Sequence, residues 1–202
     1  FYEYVYDIAQ LAKKRGLRIL WHSNGGMRPE PLKELLKYTD AVTIDLKGFT
    51  DKFYQEVSSA ELEPVLETLK IIKKEQVWLE IVNLVVPTLN DEPEDIRRMC
   101  IWIKGNLGLD TPLHFTRFFP TYKLTRLFPT PVETLEKAYQ IAKNVGLHYV
   151  TIGNVPGHKY NSTFCPKCQK RLIYRIHFAV LSNEIKNGKC SFCGYEIPGI
   201  WN

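Results

Sequence analysis

Between residue 1 and about residue 155, stretches with apolar residues every three or four positions alternate with short apolar runs. The first pattern predicts amphipathic helices and the second buried strands. Tyr2 to Lys14 reads as a helix with Val5, Ile8, Ala9 and Ala12 on one face, stopped at Gly16. Leu17 to Trp21 reads as a strand that ends at Asn24-Gly25-Gly26, and Pro31 to Lys37 as a second helix. Ala41 to Leu46 is a strand, and Ser58-Ser59-Ala60-Glu61 is a capping box for a helix through Ile72. Val77 to Val86 is a β-branched strand halted by Pro87. Asn90 or Asp91 then caps a helix to about Lys104, and Leu113 to Phe119 is a further strand. Thr130-Pro131-Val132-Glu133 combines a Thr cap, Pro at the first position and Glu at the third. That helix ends near Gly146 and is followed by a strand from His148 to Ile152.

Strands alternating with helices imply βαβ units, and hence a mostly parallel sheet, either doubly wound or curved into a barrel. No G-x-G-x-x-G follows a strand, which disfavours a dinucleotide site. Polar residues gather where strands end: Ser23 and Asn24, Asp45 and Lys47, Asn83, Arg117. Carboxyl ends of strands are where α/β proteins bind ligands. After Gly157 the helical period is lost and four of the five cysteines appear. The chain thus divides into an α/β domain, residues 1–157, and a small module, residues 158–202. About 45 residues build little core of their own, so a metal staple fits.

A content of 45% hydrophobic and 24% charged residues is that of a globular protein, and the net charge of +5 is too mild to indicate nucleic acid. No run of about 18 apolar residues is present, so no membrane span is expected. Phe1-Tyr2-Glu3-Tyr4 is not a signal peptide. It lacks Met and enters directly into a helical pattern, as a segment of a larger or processed protein would.

Cys165-x-x-Cys168 and Cys190-x-x-Cys193, with 21 residues between the pairs, carry the most specific chemistry. Two residues between ligands let one tight turn aim both sulfurs at one ion, and two such turns complete a tetrahedron of thiolates. Gly194, directly after the second pair, suits a left-handed turn position, and Arg171 to Val180 supplies a hairpin strand. Two disulfides or a redox pair are the competing readings. Metal in a reducing, cytoplasmic setting is preferred, with zinc favoured over iron by availability. A closed four-thiolate site has no open position, so its role is structural. Cys100, beside Met99, Ile101 and Trp102, reads as a core residue, and His114 and His148 as core or rim residues. Lys167, Lys170, Arg171 and Arg175 read either as a nucleic-acid contact or simply as a solvated face.

Several segments, taken in order, resemble the AmmeMemoRadiSam-system radical SAM enzymes, relatives of the pyruvate formate-lyase activating enzymes. They are Trp21-His22-Ser23-Asn24-Gly25, Ala41 through Phe49, Leu84 through Asp91, His114 through Phe118, Pro129 through Leu135, Gly153 through Gly157, and the two cysteine pairs. The resemblance covers nearly the whole chain. It implies the later strands of a (β/α)6 radical SAM barrel followed by a zinc ribbon. It also implies a 4Fe–4S cluster and S-adenosylmethionine, whose reductive cleavage gives a 5′-deoxyadenosyl radical that takes hydrogen from a substrate such as a protein partner. The S-adenosylmethionine wall then carries over to Asn24, Asp45 and Lys47, with Asn83 and Arg117 on the following strands.

The chain departs from the family in lacking a C-x-x-x-C-x-x-C cluster loop, in having His22 where activating enzymes often have Asp, and in having Tyr122 where they carry His. The resemblance therefore implies that S-adenosylmethionine and the cluster are held only in a longer protein, and that this chain alone is inactive. The alternative is a non-catalytic scaffold whose ribbon binds protein or nucleic acid. A zinc hydrolase is a weak third reading, since no His/Asp/Glu site with an open position is visible.

Overall fold

The computed structural model describes residues 1–177 and 179–201. Phe178, inside the expected hairpin, and Asn202, the last residue of the expected module, lie outside the described residues. The chain forms two compact units, Phe1–Val82 and Asn83–Asn202.

The first unit runs α1 (Tyr2–Lys14), β1 (Leu20–Ser23), α2 (Pro29–Leu36), β2 (Ala41–Asp45), α3 (Asp51–Phe53), a π-turn (Tyr54–Ser58), α4 (Leu62–Lys74) and most of β3 (Trp78–Val85). β1 pairs in parallel with β2 (Leu20 opposite Ala41), and β2 with β3 (Ala41 opposite Trp78). Parallel strands covered on both faces need near-continuous apolar sequence, and β2 buries Ala41, Val42 and Ile44. Helix α2 adds Leu32, Leu35 and Leu36 to this core, and α4 adds Val65, Leu66, Leu69, Ile71 and Ile72. Asp40, just before β2, ties the unit's start together: its carboxylate takes Lys13 Nζ at 2.6 Å and the Ile19 N–H at 2.7 Å.

The expected capping box does not form. Ser58 closes the π-turn, Ser59 is left-handed (φ 49°), and α4 starts after Glu61 with no side-chain cap. The Ala60 N–H closes onto Tyr54 O, so this segment is occupied by a wider turn that helical periodicity does not register. The short α3 is instead capped by Thr50, whose Oγ1 accepts from the Phe53 N–H at 3.2 Å.

The second unit holds the end of β3, α5 (Pro93–Asn106), β4 (Leu113–Arg117), a 3₁₀ turn (Tyr122–Leu124), α6 (Val132–Val145) and β5 (Val150–Gly153). β4 and β5 pair in parallel, with Leu113 opposite Val150. Neither Asn90 nor Asp91 caps α5, which starts after Glu92. Both are used in the loop before it: Asn90 accepts from the Val86 N–H at 2.6 Å and donates to Leu84 O at 2.8 Å, and Asp91 accepts from the Thr88 N–H at 2.7 Å. Thr130 is likewise diverted from capping α6. Its fully buried hydroxyl donates to Val85 O at 2.6 Å and accepts from the Phe118 N–H at 2.9 Å. Gly146 ends α6 in a left-handed position, as its sequence position suggests.

A 3₁₀ turn (Lys159–Asn161) leads into β6 (Thr163–Phe164), β7 (Arg171–Ile176) and β8 (Ala179–Asn183), an antiparallel sheet in that order. β9 (Ile185–Lys186) and β10 (Lys189–Cys190) form a second small antiparallel pair. Within this unit the ribbon is fixed to α6: Tyr139 stacks on Tyr160 with centroids 3.8 Å apart, and His158 Nε2 lies 3.1 Å from Glu136.

Candidate metal centre and strand-end cluster

Cys165, Cys168, Cys190 and Cys193 converge, with their four Sγ atoms within 4.8 Å of one another. Cys165 and Cys193 sulfurs are 3.7 Å apart, and those of Cys168 and Cys190 are 3.8 Å apart. Four thiolates about 2.3 Å from one ion at tetrahedral angles stand about 3.8 Å from each other. The donor set and spacing therefore fit a single tetrahedral ion.

The two turns that carry these sulfurs repeat one hydrogen-bond pattern. In the first, the Cys165 N–H donates to Lys170 O and the Gln169 N–H to Cys165 O, each at 2.9 Å. In the second, the Cys190 N–H donates to Tyr195 O and the Gly194 N–H to Cys190 O, again at 2.9 Å. The residue after each second cysteine is left-handed: Gln169 at φ 59° and Gly194 at φ 73°. Sequence reasoning found Gly194 but missed Gln169. The equal position after each C-x-x-C is the signal that finds it. Burial pushes the Cys190 thiol up, but the Phe192 and Cys193 N–H groups aimed at it, with the neighbouring thiols, bring it down to about 7. That backbone favours the thiolate at Cys190. Burial pushes Cys165 up, and at Cys193 the Tyr195 N–H is outweighed by burial and the neighbouring thiols, which push it up to about 12. Cys165 and Cys190 also belong to the ribbon's small core with Tyr149, Leu172, Ile173 and Ile197.

Cys100 is separate from this site. It lies within α5, fully buried, and burial pushes its thiol up to about 12. Among the described cysteines none forms a second group of three thiolates. The residues present thus do not fit a three-thiolate cluster loop.

In the first unit, the carboxyl ends of β1 and β2 bring His22, Asp45 and Lys47 together. Asp45 Oδ1 lies 2.6 Å from His22 Nε2, and Oδ2 accepts from Lys47 Nζ at 2.9 Å. Lys47 is set by the turn behind it: its N–H donates to the Tyr54 hydroxyl at 3.2 Å. Tyr54 is nearly fully buried, and burial pushes its phenol up to about 12, so it stays neutral. Gly48 lets the Phe53 ring lie where a Cβ would meet it at 2.6 Å. After β1, Ser23 Oγ accepts from the Gly25 N–H and Asn24 Oδ1 from the Gly26 N–H, at 3.2 and 3.0 Å. With its oxygen so used, Asn24 has its amide NH₂ to offer a ligand. His22 was noticed in the sequence as a departure from the family pattern, but not as the partner of Asp45. Same-face positions on adjacent parallel strands are the signal that joins them.

In the second unit, Arg117 ends β4 with its Nε donating to Thr130 O at 2.8 Å and its guanidinium 5.0 Å from the Phe119 ring centroid. Asn83 is buried on the β3 face shared with Val85, and its Nδ2 lies 3.8 Å from Met99 Sδ on α5. That contact sets Asn83 against α5, on the face of β3 that it shares with Val85. His114 Nδ1 lies 2.6 Å from Thr151 Oγ1 across the β4–β5 pair, and His148 Nδ1 lies 2.7 Å from Asp110. Both are engaged at the core and rim, as expected.

Residues 1–100, which include the His22–Asp45–Lys47 cluster, match a known family model. It is that of the radical SAM superfamily. The chain is 45% identical over 199 residues to the uncharacterized protein MJ0808 of Methanocaldococcus jannaschii, covering 98% of this chain and 59% of that protein. It is 27% identical over 156 residues to pyruvate formate-lyase 1-activating enzyme of Escherichia coli, covering 71% of this chain and 63% of that enzyme. The chain thus spans about three fifths of the curated relatives it matches. A solved domain of a pyruvate formate-lyase-activating enzyme from Bacteroides vulgatus shares the fold, with a TM-score of 0.66 at 17% identity over 76% of this chain and 91% of that one. By sequence the chain is thus similar to radical SAM proteins over residues 1–100 and, more distantly, to pyruvate formate-lyase activating enzymes. No helix among the described residues is long and apolar enough to cross a membrane.

Proposed function

We propose that this chain carries the later barrel strands of a radical S-adenosylmethionine enzyme of the activating-enzyme type, acting on a protein partner within a longer cytoplasmic protein. The observation that carries the reading is the His22–Asp45–Lys47 cluster at adjacent strand ends, inside the stretch that matches the radical SAM family model. Bound S-adenosylmethionine and its cluster would supply a 5′-deoxyadenosyl radical for hydrogen abstraction. The residues of this chain do the holding. Lys47 Nζ would face the carboxylate of the aminoacyl group, Asp45 its ammonium, and the Asn24 amide would donate a further hydrogen bond. Arg117, at the end of β4, is proposed as a further S-adenosylmethionine contact. His22 orients the Asp45 carboxylate. The cluster's three thiolates would come from outside these 202 residues, because the chain's own cysteines are committed elsewhere.

The four-cysteine group is proposed to hold one structural metal ion, with zinc favoured over iron by availability. It staples the ribbon and leaves no open position for chemistry.

The test is equilibrium binding of S-adenosylmethionine to the chain by isothermal titration calorimetry. Weak binding is expected, lost in Asp45→Asn and Lys47→Met, with no 5′-deoxyadenosine formed on reduction. Equal binding by both variants, or turnover by the chain alone, would overturn the reading.

A further inference from the structure

The positive charge of this chain is not spread along it. Residues 158–202 hold seven Lys and Arg against two Glu, while the preceding 157 residues hold twenty of each sign. The entire net charge of +5 therefore belongs to the ribbon. The whole-chain value argues against nucleic acid only because it averages a neutral α/β portion with a basic module.

The cations are also arranged around rings. Lys170 Nζ lies 4.7 Å from the centroid of Phe192, and Arg171 Cζ lies 3.7 Å from that of Tyr174. Phe192 is 46% exposed, and Lys167, Lys170, Arg171 and Lys186 are all exposed. Among the described residues the ion pair within the ribbon is Lys189 with Glu196, at 3.9 Å, and none of those four cations has a carboxylate partner. The elements beneath are short strands and two tight turns closed on the four cysteines, so the ribbon is held in one conformation when the site is filled.

We infer that the ribbon, through its exposed cations and the cation-flanked rings of Phe192 and Tyr174, binds single-stranded nucleic acid. Backbone phosphates would take the exposed ammonium and guanidinium groups, and unpaired bases would stack on Phe192 and beside Tyr174. An acidic protein segment would satisfy the charge equally well. Base stacking gives the exposed Phe192 ring a use that charge pairing alone does not, and that favours nucleic acid. The inference stands apart from the proposed radical chemistry, because it uses no strand-end residue.

The experiment is fluorescence anisotropy of a labelled oligouridylate of about 16 nucleotides with the chain in its metal-loaded form. Micromolar binding at low salt is expected, weakening with salt at a slope of about −0.7 for each phosphate neutralised, or about −3 for four cations. Lys170→Glu combined with Lys186→Glu should weaken binding at least tenfold, and Phe192→Leu severalfold. Metal content, measured for every variant, verifies that the ribbon is intact, and the salt slope of the unaltered chain tests the inference even if a variant misfolds. Absence of binding at low salt overturns the inference. So does competition by poly-glutamate as effective as that by oligouridylate, together with no effect of Phe192→Leu, which would mark the ribbon as a site for acidic protein.

Discussion

Replacing Thr130 by Val keeps the side-chain shape and removes one oxygen. That oxygen accepts from the Phe118 N–H at 2.9 Å and donates to Val85 O at 2.6 Å, in a position with no exposure. Since the substitution is nearly isosteric, no cavity term enters. The cost is then that of two backbone groups losing their partner away from water. A buried group so stranded costs about 1–3 kcal/mol, and Val85 O has a second lone pair that softens its share, so about 2–4 kcal/mol is expected in all. Thr130→Ser retains the hydroxyl and should cost less than about 1.5 kcal/mol. Urea titration followed by circular dichroism gives both values, with the denaturant slope unchanged if only the native state is affected. A Thr130→Val loss below about 0.5 kcal/mol would refute the argument that this hydroxyl joins the ends of β3 and β4, because ordinary surface changes already reach that size.

Elemental analysis of chelator-free protein should find one zinc ion per chain, and Cys168→Ser should lose it; absence of both zinc and iron would remove the metal site. Chelation should abolish the ribbon's hydrogen-exchange protection while leaving that of β1 and β2 in place. A pH effect arises at Asp40. Burial alone would raise its pKa, but the Lys13 ammonium and the Ile19 N–H outweigh it and hold the carboxyl below its usual range. A carboxyl depressed in the folded state stabilises the fold above its unfolded value of about 3.9, and that contribution is lost as pH falls through the folded value. Asp40→Asn should therefore lower stability at neutral pH and flatten its decline in acid; an unchanged acid limb would show that Asp40 is not its source.

The bounds of α1 and the course of β2 could be read from sequence because each follows one period and buries one face. Polar residues misled at three helix starts. Ser58, Asn90 and Thr130 all have the chemistry of a cap, and each serves a turn or a strand end instead. A side-chain oxygen satisfies whichever N–H the fold brings to it, and that choice is made in three dimensions. The convergence of the four cysteines was legible because their positions are fixed by spacing within two local turns. The strand-end cluster was legible only in part: Asp45 and Lys47 are close in sequence, whereas His22 reaches Asp45 through the pairing register of β1 with β2. Asn83 shows the same limit. Its alternation along β3 gives it a face but does not say which face carries a helix.

The ribbon borrows part of its interior. Tyr149 lies before β5, outside the cysteine-rich segment, yet it packs in one core with Cys165, Leu172, Ile173, Cys190 and Ile197. Tyr139 and Glu136 on α6 hold Tyr160 and His158 in the same way. A graft of residues 158–202 onto another protein would leave that core with a hole the size of a tyrosine ring, and the graft would have metal ligands without the wall that positions them. Anyone transplanting this ribbon as a tag or a sensor must therefore carry α6 and Tyr149 along with it, so the smallest portable piece is set by shared packing and begins well before the first cysteine.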